Sequence, residues 1–228
     1  MDFTIGNAFS QGWRAMKENY GALLGASLVY SVIEMALGFV PILGPLAGLI
    51  ITGPLVAGWM YMGVRAFRGR TEFGDLFIGF RKFGETLGIY WLMVLVALGA
   101  CIPLIIGLAV GAAAGIEGPG LGVALAGGVV SLVIYIVFAV RFAFSWQVCL
   151  DTQLGVTGSM GRSWKITQPH LWGLIGLFLC VGLMYIGLLL MCLLPGIFLG
   201  MPLTVTVTGA AYCLVAGERE HEELAEVF

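Results

Sequence analysis

The sequence predicts an all-α, polytopic membrane protein, with six transmembrane helices arranged as three hairpin repeats and with interfacial amphipathic helices between them. Three observations support this prediction: a very apolar composition, six apolar stretches of membrane-spanning length, and basic residues confined to every second connector. Of the 228 residues, 60% are hydrophobic and 11% are charged, and the mean hydropathy is +1.01. A soluble domain carries about 25% charged residues. Lipid must therefore solvate much of the surface of this chain.

Six stretches of the chain are long and apolar enough to cross a bilayer. A hydrocarbon core of about 30 Å requires about 20 helical residues. The predicted spans cover residues 21–40, 46–66, 87–110, 121–144, 171–193 and 197–215.

Turns rich in proline and glycine join the spans in pairs, because both residues stop helices. These turns are Pro41-Ile42-Leu43-Gly44-Pro45, Glu117-Gly118-Pro119-Gly120 and Pro195-Gly196, and none of them contains a basic residue. All eleven Lys and Arg residues lie on the other side of the spans. Cytoplasmic loops accumulate Lys and Arg. We therefore expect a bacterial inner-membrane protein with both termini in the cytoplasm, inserted by an uncleaved first span.

The connectors on the basic side carry apolar stripes at helical spacing. In the first connector the stripe contains Ile5, Phe9, Trp13, Met16 and Tyr20. Stripes of this kind, with aromatic and basic neighbours, are typical of helices that lie in the membrane interface. Packing against the ends of the spans would produce the same pattern, and the sequence leaves both interpretations open.

The three connectors resemble one another, which indicates an internal repeat. Each has a small residue, an aromatic residue and a basic residue in succession just before an odd-numbered span: Gly12-Trp13-Arg14, Gly79-Phe80-Arg81 and Ser163-Trp164-Lys165. We interpret residues 1–228 as one membrane domain with repeat units at about 1–70, 71–155 and 156–217 and an acidic tail at 218–228. The predicted interfacial anchors are Trp13, Arg14, Phe80, Arg81, Trp164 and Lys165, since aromatic and basic side chains favour the headgroup level.

Glu34 is the one acidic side chain inside a predicted span, in the outer third of the first. Ionisable residues within the membrane are costly and are candidates for functional sites. Ser31 lies one turn away, and Thr204 is expected at a similar depth in the sixth span. We therefore predict a polar intramembrane site formed by Glu34, Ser31 and Thr204, linked to protons or to a solute. A carboxyl group without a functional role is the alternative.

Arg141 and Asp151 flank the basic end of the fourth span. The pattern predicts an ion pair between them that orients the connector that follows. The alternative is that the Arg141 side chain extends to the lipid headgroups.

No arrangement of residues predicts catalysis or a bound metal or cofactor. The five cysteines are scattered singly through apolar segments, without a Cys-x-x-Cys pair. An unspaced set of this kind argues against a metal site. His170 and His221 have no neighbouring Ser, Cys or carboxylate in a catalytic spacing. We expect a non-enzymatic protein without catalytic, cofactor or metal residues and without a nucleic-acid partner.

The segment from Arg141 carries a family resemblance. Arg141-Phe142-Ala143-Phe144, then Asp151, then Gly161-Arg162-Ser163-Trp164-Lys165 resembles a broad group of poorly characterised bacterial integral membrane proteins. That group is related to the membrane domain of glycerophosphodiester phosphodiesterases. The resemblance implies a membrane fold and location only.

The leading functional hypothesis is an accessory or organising component of the membrane, which interacts with lipids or with other membrane subunits. The alternative is a transporter or exporter of a small or lipidic solute, which the repeat and Glu34 suggest. A central cavity that reaches Glu34 would favour the alternative.

Overall fold

The computed structural model describes residues 3–40, 43–113, 115, 119–191 and 196–225, and these residues form helices and turns without any β-strand. This confirms the predicted all-α class. Residues 41, 42, 117, 118 and 195 of the three predicted turns lie outside the described residues. The same holds for the side chains of the acidic tail at 218–228.

Helices follow one another along the chain with short breaks. Those on the basic side are short, and those between them are long and apolar. The helices are α1 (Ile5–Glu18), α2 (Tyr20–Phe39), α3 (Leu43–Phe67), a 3-10 helix (Phe73–Lys82), α4 (Phe83–Ala100), α5 (Ile102–Ala113), α6 (Pro119–Phe142), α7 (Ser145–Asp151), α8 (Val156–Thr167), α9 (Leu171–Met191), a π-helical turn (Gly196–Gly200) and α10 (Met201–Ala225).

Six segments of the described chain are long and apolar enough to span a membrane. They are Tyr20–Phe39, Gly44–Phe67, Phe73–Ala113, Pro119–Asp151, Leu171–Leu190 and Gly196–Gly217. The predicted number and order of spans are therefore confirmed. The third and fourth segments are longer than predicted. The third includes the 3-10 helix, which lies directly before α4, and the fourth includes α7, which follows α6 after a short turn.

Two spans form the centre of the bundle. In Gly44–Phe67 and Gly196–Gly217, 50% and 67% of the apolar window are buried, against 11–17% in the other four. A Cβ built on Gly63 of α3 would lie 1.9 Å from the carbonyl oxygen of Val205 in α10. Only a glycine allows the two backbones to approach so closely. The pair α3 and α10 therefore forms the core against which the other helices pack.

The small residue of each repeated triplet packs against an even-numbered span. A Cβ on Gly12 would lie 2.7 Å from Val207 of α10, and one on Gly79 would lie 2.0 Å from the carbonyl oxygen of Pro54 in α3. Ser163 donates a hydrogen bond to the carbonyl of Arg141 at the end of α6, at 2.8 Å. In this respect the three connectors are equivalent. The division into three repeat units stays a prediction.

The third span is interrupted at Cys101, where α4 ends and α5 begins. Pro103 supplies no backbone N–H, and it leaves the helix irregular at this point. Ser131 of α6, which is buried, accepts a hydrogen bond from the N–H of Leu104 at 2.8 Å. A side chain of a neighbouring helix thus satisfies a backbone group at the break, as membrane helices require.

Candidate functional site

A buried carboxylate ties three helices together on the basic side of the bundle. Asp151, the last residue of α7, accepts two hydrogen bonds from Arg68, at 2.6 and 2.9 Å. Tyr61 of α3 and Tyr212 of α10 donate to its two oxygens at 3.1 and 3.2 Å. We call Tyr61, Arg68, Asp151 and Tyr212 the Asp151 cluster. Every lone-pair direction of the carboxylate is thereby directed to a donor, as expected for a charge that is only 12% exposed.

The predicted ion pair between Arg141 and Asp151 is wrong. A turn at residues 143–144 separates α6 from α7, and it directs Asp151 toward α3 and α10. Arg68, which follows the end of α3, is the arginine that pairs with this carboxylate. Arg141 instead lies over the ring of Trp164 in α8, with its guanidinium carbon 4.9 Å from the ring centroid.

Arg68 is the cation of the Asp151 cluster, and it stays charged. Its hydrogen bonds to Asp151 raise the pKa of the guanidinium above its usual range, and burial opposes this only in part. The bidentate geometry is the one that arginine and carboxylate form best. The cluster therefore acts as a fixed, neutralised junction between the ends of α3, α7 and α10.

An apolar cavity of about 340 Å³ lies between the helices, in the half of the bundle nearer the basic side. Its lining comes from α3, α4, α6, α7, α9 and α10. Tyr135, which lines it, is 51% exposed, so the cavity opens to the surface of the bundle. The other lining residues include Met60, Met93, Val96, Ala97, Phe138, Ala139, Phe142, Ala143, Trp146, Phe178 and Val181.

The only hydroxyls that α10 contributes to this lining are already bonded within the helix. Thr204 donates to the carbonyl of Gly200 at 2.7 Å, and Thr208 donates to the carbonyl of Thr204 at 2.8 Å. A second apolar cavity of about 350 Å³ shares Tyr135, Ala139, Ala143 and Phe178 with the first. Together the two cavities form a space suited to hydrocarbon rather than to a polar solute.

The predicted site at Glu34 is not assembled as expected. Ser31 directs its hydroxyl to the sulfur of Met201 at 3.5 Å, and Thr204 bonds within its own helix. Among the described residues, nothing donates a hydrogen bond to the buried Oε1 of Glu34. The lining of the apolar cavity contains Thr204 but not Glu34. The three residues therefore do not share one pocket.

The predicted anchors occupy varied positions on the basic side. Trp13 is 40% exposed with the Lys17 ammonium 5.2 Å from its ring centroid, and Arg14 pairs with Glu18 at 2.9 Å. Phe80 is exposed and stacks on Phe83, while Arg81 and Lys165 are exposed. Trp164 is half-buried beneath Arg141. Their role as membrane anchors stays a prediction.

Several residues of the candidate site are missing from the sequence predictions. Tyr61, Arg68 and Tyr212 hold Asp151, and Phe138, Phe142 and Trp146 line the cavity. In the sequence, Asp151 is an acidic residue in a connector rich in basic residues. This pattern indicates that Asp151 has a basic partner, but it does not identify the partner. Within the described residues, no three His, Cys, Asp or Glu side chains lie close enough together to hold a metal ion.

Comparison of the chain with protein-family models, with curated proteins and with solved structures finds no match in any of the three. The resemblance to the membrane domain of glycerophosphodiester phosphodiesterases therefore stays a prediction.

Proposed function

We propose that this multi-pass membrane protein is a non-enzymatic component of the bacterial inner membrane that binds lipid and serves as an accessory or organising protein. The apolar cavity carries this proposal. It lies between six helices, opens to the lipid-exposed surface, and is lined almost entirely by carbon. A space with so few polar partners does not hold water well, and a hydrocarbon chain is the occupant that suits it.

The form of the bundle supports the same proposal. The Asp151 cluster fixes the ends of α3, α7 and α10, so the cavity beside them has rigid walls on that side. Preformed, mostly apolar pockets of about 300–1,000 Å³ are the ordinary form of a small-ligand site. Few polar groups line the cavity, and two of them, the hydroxyls of Thr204 and Thr208, are bonded to backbone carbonyls.

Filling the cavity should abolish lipid binding there. We expect Ala139→Phe to occupy the space shared by the two cavities and to exclude an acyl chain. The measurement uses vesicles of phosphatidylethanolamine with a diazirine in the acyl chain, followed by mass-spectrometric mapping of the labelled residues. Labelling at Phe138, Phe142 and Trp146 should fall toward that of Leu55, which is fully buried outside the cavity, whereas Leu95, which is 59% exposed on α4, should be labelled by bulk lipid in both proteins.

Ala126→Phe is the matched control, because Ala126 lies on the same helix and is exposed away from both cavities. In this variant the lipid should label the cavity residues to the same extent as in the wild type. Equal labelling of the cavity in Ala139→Phe and in the wild type would contradict the proposal, as would wild-type labelling no higher than at the buried Leu55.

A transporter of a lipidic solute is the second candidate, and the unpartnered Oε1 of Glu34 favours it. The two functions differ in a scrambling assay with proteoliposomes that contain a fluorescent lipid and with dithionite outside. If the protein only binds lipid, dithionite should quench about half of the lipid fluorescence, with the wild type and with Glu34→Gln alike. Transport through Glu34 predicts near-complete quenching with wild type and a slower loss with Glu34→Gln.

A further inference from the structure

We infer that the cavity takes an acyl chain of an anionic phospholipid, and that Arg141, held on the ring of Trp164, binds the phosphate of its headgroup. This inference rests on the proposed function and adds the class of headgroup. It depends on a cation that lies beside the cavity without a carboxylate partner among the described residues.

Arg141 is placed as an anion-binding group rather than as a structural one. Its guanidinium carbon lies 4.9 Å from the ring centroid of Trp164, and Nη1 is 3.5 Å from the backbone oxygen of that residue, a long hydrogen bond. No described group accepts a hydrogen bond from the buried Nε. Arginine that stacks on an aromatic face keeps its planar set of donors available, and these donors match a phosphate group.

Aromatic side chains connect this cation directly with the wall of the cavity. The ring of Trp164 lies 5.8 Å from that of Phe138 and 5.6 Å from that of Phe142, measured between centroids. Both phenylalanines line the cavity. An amphiphile with its chain in the cavity would therefore have its headgroup at the end of α6, within reach of Arg141.

The charge around Arg141 favours an anionic headgroup over a zwitterionic one. Asp151 is the only carboxylate in the sequence from 119 to 167, and it is paired with Arg68. The same stretch contains Arg141 and the exposed Lys165. A phosphatidylglycerol headgroup carries a net negative charge that this surplus attracts, whereas phosphatidylcholine brings a cation of its own.

The test compares two acyl-chain diazirine lipids, phosphatidylglycerol and phosphatidylcholine, in vesicles of otherwise equal composition. The measured quantity is the ratio of cavity labelling at Phe142 and Trp146 to labelling at Leu95. In the wild type this ratio should be about five-fold higher for phosphatidylglycerol, since one basic residue near an anionic surface contributes about 1 kcal/mol. Arg141→Gln should remove the preference without abolishing cavity labelling, and Arg141→Lys should keep most of it.

Arg70→Gln is the matched control, because Arg70 is exposed on the same side of the bundle and its described hydrogen bonds involve only its backbone. This variant should keep the preference. If Arg141→Gln does not fold, wild type in 1 M salt replaces it, where a Debye length of about 3 Å should abolish the preference.

The outcomes separate this inference from the function on which it rests. Equal cavity labelling by both lipids, well above that of the buried Leu55, would overturn the role of Arg141 and leave lipid binding intact. A preference that persists in Arg141→Gln, or in 1 M salt, would overturn it in the same way. Cavity labelling no higher than at Leu55 with either lipid would overturn both proposals.

Discussion

Asp151→Leu is expected to lower the free energy of unfolding by about 3 kcal/mol, which is the lower end of the range for breaking a buried ion pair. The substitution leaves the Arg68 guanidinium without its carboxylate and leaves Tyr61 and Tyr212 without an acceptor. The lower end applies because Arg68 is 38% exposed and regains some contact with water. Equilibrium unfolding in mixed micelles with increasing dodecyl sulfate measures the change.

A double-mutant cycle separates the pair from the general effect of an altered side chain. Arg68→Met should cost about 2–3 kcal/mol alone, because Asp151 keeps only its two tyrosine donors. The double variant should cost at least about 1 kcal/mol less than the sum of the single variants. Arg70→Met, in the same loop, should change stability by less than about 0.5 kcal/mol. Additive costs would show that Arg68 and Asp151 do not stabilise the bundle as a pair.

Hydropathy was sufficient to predict the spans, because the length of an apolar helix follows from the thickness of the bilayer. It could not predict the break at Cys101. The break depends on Pro103 together with Ser131, which lies 27 residues after Leu104 and accepts the hydrogen bond of its N–H group. A hydropathy value is a sum of transfer free energies over a window of residues. This sum is the same whether the helix is straight or interrupted.

The partner of Asp151 shows why the site was less predictable than the fold. Arg141 is the cation nearest in sequence on the same span, and Arg68 is 83 residues away. Proximity along the chain decides pairing only within one helix. At the junction of α3, α7 and α10, the packing of the helices decides which cation reaches the carboxylate. The sequence could indicate that a cation is needed, but not which of the eleven supplies it.

Glycines four residues apart in the sequence form some of the close helix contacts but not the central one. Gly107 and Gly111, four residues apart on α5, do approach the backbone of α6 near Gly120 and Gly127. Gly21 and Gly84, which also have glycine partners at this spacing, face open space. Gly63 and Gly209 form the tightest contact between α3 and α10, and neither has a glycine four residues away. Spacing within one helix does not specify which glycine faces another backbone.

Gly63→Ala should therefore be strongly destabilising, because it adds a methyl group where the two central helices cross. The new Cβ would lie 1.9 Å from the carbonyl oxygen of Val205, and the Cβ position of Gly209 is only 2.2 Å from the carbonyl carbon of Gly63. Backbone atoms on both sides cannot move aside as a flexible side chain would. The central pair must separate, and we expect a loss of more than about 3 kcal/mol, beyond ordinary overpacking of a core.

Gly122→Ala is the matched control, because Gly122 also lies within a span but no atom lies within 4 Å of its Cβ position. Alanine has a higher helix propensity than glycine by about 0.8–1.0 kcal/mol, so this variant should be neutral or slightly stabilised. The same chemical change thus gains stability at one glycine and removes it at the other. The measurement is unfolding in dodecyl sulfate, with the fraction of monodisperse protein after extraction in mild detergent. Equal stability of Gly63→Ala and Gly122→Ala would mean that α3 and α10 do not cross at Gly63, and the core on which the Asp151 cluster and the cavity depend would be misplaced.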